Sequence, residues 1–317
     1  MAIVQYAMTV RRKEMKPNNL FEKLCRMTQN GVKQYVIKRL KNDYEKVVTG
    51  DGYVYAQGTF PVLLVAHMDT VHKQLPDVIM YDDKYEIVSS PNGIGGDDRC
   101  GVYMILEVIK KFKCSVLFCE DEEIGMVGAE KFTKSLASKT VDVNYIIEFD
   151  RMGEKDAVFY DCDNPDFEEF ITKDFYETSF GSFSDISTLA PYLGCAAVNL
   201  SCGYYKAHTV NEYVVIPQME RSIEEACKIL ARTTESDKFE YIEAVYSYNY
   251  SKYYNPLYDD DSYYGEMYYM IDYHDNENND NWFDVEASSK AEAIGKFLME
   301  FSDLTYGNIN AIYYDKL

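Results

Sequence analysis

Residues 62–71 read VLLVAHMDTV, an apolar run that stops at His67 and meets Asp69 two residues later. A strand that is apolar at every position is one buried on both faces, as in a parallel sheet covered by helices on each side. Side chains at i and i+2 of a strand point the same way, so His67 and Asp69 converge where this strand ends. A metal-bound imidazole commonly gives its second N–H to a carboxylate. An H-x-D strand end suits that arrangement, and it also suits a structural histidine.

The same strand type recurs downstream. CSVLFC (114–119), VNYIIEF (143–149) and GCAAVNL (194–200) alternate with predicted helices after Asp97, at about 126–138, after 165, near 185–193 and at roughly 216–235. That alternation predicts an α/β fold, a mixed and mostly parallel sheet sandwiched by helices. Upstream, 19–42 reads as two helices broken at Asn30-Gly31, and 46–58 as a hairpin turning at TGDG. Residues 1–235 are expected to form the main domain. Residues 236–264, rich in Tyr, Asp, Ser and Asn, read as an acidic linker or surface segment. Residues 265–317 read as a small α+β module of strands EMYYMIDYH, NWFDVEA and INAIYY, with a helix over SSKAEAIGKFLMEF capped by Ser288 or Ser289.

Four further segments carry ionisable groups where predicted strands have just ended. In Gly93-Ile94-Gly95-Gly96-Asp97-Asp98-Arg99, glycines precede paired acids that could cap a helix or present a carboxylate to a ligand. Glu120-Asp121-Glu122-Glu123 follows CSVLFC directly. Four adjacent acids are either a solvated loop or, in the active reading, one glutamate on a metal beside a second that takes a proton from water. Asp150 follows VNYIIEF, and His208 lies in Ala207-His208-Thr209-Val210-Asn211-Glu212. Asp97 and Glu123 stand 26 positions apart, and Glu123 and Asp150 27, about one strand-plus-helix unit each. In open α/β sheets ligands bind beyond the carboxyl ends of the strands. His67, Asp97, Glu123, Asp150 and His208 are therefore expected to face one crevice. Two imidazoles and three carboxylates suit zinc or a related divalent ion, and serve two ions if one carboxylate bridges.

The segments VLLVAHMDTV, GIGGDDRCG, DEEIGMVGAE, IIEFDRMG and AHTVNEYV, in that order, resemble the co-catalytic zinc exopeptidase superfamily, which includes peptidase T, the glutamate carboxypeptidases and the zinc aminopeptidases. GSFSDISTLAPYLGCAAVNLSCG is similar to the family's approach to its last histidine, and the resemblance spans about 20–235. It implies that His67 and Asp150 hold one metal and Glu123 and His208 the other. Asp97 resembles the bridging carboxylate, with Asp98 as its rival. It further implies that Asp69 orients His67, that Glu122 is the general base, and that two divalent ions, zinc or else cobalt or manganese, are the cofactors. Only 58 positions separate Asp150 from His208, so the lid domain that many relatives insert there has no room. No arginine follows Ser184-Asp185, which speaks against a carboxylate clamp of the kind found in lid-bearing carboxypeptidases.

Composition narrows the rest. The net charge of −21 disfavours nucleic acid or an anionic membrane as partner. No apolar run approaches the ~20 residues of a membrane span, and the N-terminus lacks a signal peptide's order, so a cytoplasmic protein is expected. Eight scattered cysteines without a CxxC pair read as reduced core thiols. The leading expectation is a di-metal aminopeptidase on short peptides. A deacylase acting on small N-acylated compounds, and a non-catalytic binding protein on this scaffold, are the alternatives. Oligomeric state stays open.

Overall fold

The structure is a computed structural model. It describes residues 19–181, 183–244, 267–275, 280–287 and 309–316, together with 296, 297, 300, 301 and 304. In chain order the first half comprises α1 (Asn19–Cys25), α2 (Gln29–Asp43), β1 (Val47–Gly50), β2 (Tyr53–Ala56), β3 (Phe60–His67), β4 (Met80–Asp82), β5 (Ile87–Ser89), α3 (Gly96–Val108), β6 (Cys114–Cys119), α4 (Val127–Thr133) and β7 (Tyr145–Arg151). It continues through β8 (Asp156–Val158), α5 (Pro165–Thr172), β9 (Glu177–Ser179), α6 (Asp185–Leu193), β10 (Ala197–Ser201), β11 (Tyr204–Tyr205), β12 (Tyr213–Val215) and α7 (Ile216–Arg232). Strands β13 (Met267–His274), β14 (Asp280–Ala287) and β15 (Ile309–Lys316) complete the described elements.

The main sheet has the order β1-β2-β6-β3-β7-β10-β8-β9. Its centre, β6-β3-β7-β10, is parallel throughout. The strand period of two divides each central strand between two cores. Val62, Leu64 and Ala66 of β3 join Ile147 and Phe149 of β7 on the side covered by α1, α2, α3, α5 and α7. Leu63 and Val65 join Ile146 on the side covered by α4 and α6. That two-sided burial explains the unbroken apolar runs in the sequence. Helix α3 lies close on β7, because a Cβ at Gly101 would come within 1.9 Å of the Phe149 carbonyl oxygen.

Local chemistry shifts some boundaries from expectation. The first two helices separate at 26–28, not at Asn30-Gly31: the Thr28 hydroxyl accepts the Gly31 N–H and starts α2 there. Helix α4 stops at Thr133, seven residues into the predicted span. The Ser138 hydroxyl bonds the carbonyls of Thr133 and Ser135, and the Ser135 hydroxyl takes the Ser138 N–H, so side chains displace helical pairing. A second, four-stranded sheet, β11-β12-β5-β4, was not expected, its strands being too short to leave a pattern. The interval between Asp150 and His208 holds β8 to β11 with α5 and α6, and no inserted lid domain.

Residues 239–244 run along the main sheet. Phe239 donates its N–H to the Asn144 carbonyl at 3.1 Å and accepts that of Ala196 at 2.8 Å. Strands β14-β13-β15 form an antiparallel sheet of their own, with Tyr269, Ile271, Tyr273, Phe297 and Leu304 as its core. Most of the helix expected over 288–301, including Ser288 and Ser289, lies outside the described residues, as do 245–264. All eight cysteines are free and seven are buried. Among the described residues no helix is long and apolar enough to cross a membrane.

Candidate active site

The parallel strands β3, β6 and β7 end at one edge of the sheet, and the segments that follow them build a crevice there. His67, the last residue of β3, is buried. Its Nδ1 lies 3.2 Å from Asp69 Oδ1, while its Nε2 lies 3.0 Å from Asp97 Oδ1 and 3.4 Å from Asp150 Oδ1. His208, in the loop between β11 and β12, places Nε2 3.2 Å from Asp97 Oδ2 and 3.1 Å from Glu123 Oε2. The five predicted ligand side chains thus form two groups, His67–Asp97–Asp150 and Asp97–Glu123–His208, each with ligand atoms within 4.8 Å of one another. Asp97 belongs to both, one oxygen turned to each histidine.

Asp98 points elsewhere. Its carboxylate takes the main-chain N–H of His67 at 3.2 Å and of Gly101 at 2.7 Å, capping the regular part of α3. Asp97 and Asp98 themselves have non-helical backbone angles, which lets neighbouring carboxylates face different partners. Arg99 is buried and ties α1 to the strand end, donating to the carbonyls of Leu24, Met27, Met68 and Asp69.

Asp69 does more than touch His67. It also accepts the N–H groups of Glu122 and Glu123, both at 3.1 Å, and so fixes the acidic loop after β6 against the end of β3. Glu212, quoted in AHTVNE without an expected role, is fully buried. It accepts Gly95 N–H at 2.7 Å, Asp97 N–H at 2.9 Å and His72 Nε2 at 2.8 Å. Behind the crevice, Ser184 Oγ lies 2.5 Å from Glu148 Oε2 and 3.1 Å from Asp150 Oδ2, and Tyr204 donates to Asp150 Oδ1 at 3.2 Å. These contacts depend on side chains meeting across loops, and no spacing in the sequence marks them.

The electrostatics are those of crowded carboxylates. Burial alone would lower the His67 pKa, but Asp150 and Asp69 outweigh it and hold the imidazole well above its usual value. Hydrogen bonds that His208 donates to Asp97 and Glu123 raise its pKa. Burial would raise Asp97, but His208 and His67 hold it below the usual carboxylate range. Burial raises Glu122 well above that range, with Asp150 and Asp185 adding to the effect. Glu123 Oε1 is buried without a hydrogen-bond partner among the described residues. A buried anionic oxygen without a donor, beside two imidazoles and further carboxylates, is chemistry that a divalent cation satisfies. The donor set therefore fits metal. His208 holds a left-handed backbone (φ 61°), a conformation uncommon for a residue with a side chain and one that clusters at functional sites.

Fold and donor set together resemble those of metal-dependent peptidases. Residues 53–185 match Peptidase family M28, a segment that carries His67, Asp97, Glu123 and Asp150. The fold is similar to that of the aminopeptidase PepT from Bacillus cereus (15% identity, 67% of this chain and 96% of that one, TM-score 0.51). It is also similar to a tripeptidase from Staphylococcus aureus (16%, 68% and 98%, 0.53) and an aminopeptidase from the archaeon Desulfurococcus kamchatkensis (15%, 68% and 94%, 0.53). A search of curated protein sequences finds no significant match.

Proposed function

We propose that this chain is a two-metal aminopeptidase acting on short peptides. The observation that carries the reading is the Asp97 carboxylate, which offers one oxygen to each donor group. His67 and Asp150 would hold one cation, Glu123 and His208 the other, with Asp97 shared. Two divalent cations there, zinc first and cobalt or manganese next, would acidify water and polarise the scissile carbonyl. Glu122 lines the same cleft. It takes a proton from the attacking water and returns it to the leaving amine, and its burial raises its basicity for that task. Asp69 keeps Glu122 in place through the main chain and keeps His67 in one orientation. The aminopeptidase and tripeptidase folds to which this one is similar support a peptide bond as the target.

The test is bound-metal analysis with hydrolysis of paired free-amino and N-acetylated di- and tripeptides. Two metals per chain and cleavage of the free-amino set are expected. Cleavage of the N-acetylated set alone would make the chain a deacylase. Two metals without any hydrolysis would make it a binding protein.

A further inference from the structure

We propose that Arg151 binds a carboxylate of the substrate and thereby selects short anionic peptides. The proposal rests on the peptidase reading above. In the parallel pairing of β7 with β10, Ala197 pairs with Ile146 and Val198 with Ile147; each pair shares a core side. Asn199 pairs with Glu148, but Ser201 pairs with Arg151, so β7 carries one extra residue between those points. Such a bulge re-aims side chains, and here it brings Arg151 to the side of the sheet that Glu148 and Asp150 already share, where the crevice lies. Strict alternation would have sent Arg151 to the opposite core.

Arg151 lines the crevice with Asp97, Glu122, Glu123 and Asp150, and no other lysine or arginine of the described residues does so. It is 8% exposed. Its Nε donates to Asp156 Oδ2 at 3.2 Å, and Asp156 is itself held by the Ser179 hydroxyl at 3.1 Å, so the guanidinium is anchored from one side. Nη1 and Nη2 have no protein partner among the described residues. What remains is the end-on fork of a buried guanidinium, whose geometry matches a carboxylate through two parallel N–H···O bonds. Tyr160, on the same wall, accepts Asn199 Nδ2 at 2.9 Å and keeps its own hydroxyl proton to donate.

The carboxylate could be the peptide's C-terminus or an acidic side chain. Calorimetric titration of the metal-loaded Glu122→Gln protein separates them, using Gly-Gly-Gly against Gly-Gly-Gly-amide and Asp-Gly-Gly-amide against Asn-Gly-Gly-amide. At least one carboxylate form is expected to bind about tenfold or more tightly than its neutral partner. Arg151→Met should erase the difference and Arg151→Lys should keep part of it, with melting temperatures confirming that both fold. Equal binding within both pairs, absence of binding by all four, or a preference that survives Arg151→Met overturns the proposal. Hydrolysis without a carboxylate preference removes this assignment alone, whereas a preference without hydrolysis by the wild type removes the peptidase reading alone.

Discussion

The carboxylate of Glu212 accepts the main-chain N–H of Asp97 at 2.9 Å, joining residues 115 positions apart in sequence. Glu212 sits four residues after His208, so this bond fixes the distance between the shared carboxylate and the last histidine. Its two oxygens together take three donors, from Gly95, Asp97 and His72. Glu212→Gln replaces one acceptor oxygen with an N–H₂ that must face an N–H. Metal affinity should fall roughly 10- to 100-fold, as for other residues that position ligands, measured by competition with a chromogenic chelator. Unchanged affinity would show that Asp97 is held by the α3 turn without help.

Asp69→Asn is expected to act on two sites at once. The amide presents a donor either to the N–H of Glu122 or Glu123 or to His67. Metal affinity and turnover should both drop, by roughly 10- to 100-fold. A loss of turnover with metal binding intact would confine Asp69 to the acidic loop.

Glu122→Gln should separate chemistry from metal binding. The side chain belongs to neither donor group. Peptide hydrolysis is expected to fall roughly 10²- to 10⁴-fold while metal content stays at the wild-type value. Wild-type turnover in this variant would remove Glu122 from the proton transfer.

Asp185 supplies a pH signature. Burial pushes its pKa up to about 7 from a usual 3.8, and neither of its carboxylate oxygens has a hydrogen-bond partner among the described residues. Between those values the folded chain holds a proton that the unfolded chain has released. Its contribution is therefore complete below about pH 4 and lost as pH rises through 7. Thermal melts of chelator-treated protein should show Asp185→Asn closing the gap between pH 5 and pH 8. Parallel curves for variant and wild type would exclude Asp185 as the titrating group.

How much of this was legible in the sequence follows from which forces act locally. His67 and Asp69 could be read because two-sided burial imposes a continuous apolar run, and any polar residue ending it stands out. Asp97, Glu123 and Asp150 could be read because strand–helix units repeat at a nearly constant length. The break before α2 was misplaced because Asn-Gly is a common turn signal, and here the Thr28 cap won. Glu212 and His72 carry no local pattern, since their pairing spans 140 positions. Arg151 lay hidden for a different reason. A strand read with period two puts it in the wrong core, and only the register slip against β10 reveals its side.

Strand β3 is hydrogen-bonded to β6 on one side and β7 on the other. Its second edge is therefore closed only when residues 145–151 arrive, and His208 follows later still. Pairings so distant along the chain form late, because loop closure must precede them. During synthesis, a nascent chain ending near residue 150 could carry a nearly built central sheet with an acidic crevice that lacks its last imidazole. Any metal affinity that needs His208 therefore arises only after the chain has grown past that residue, with β10 in place beside β7.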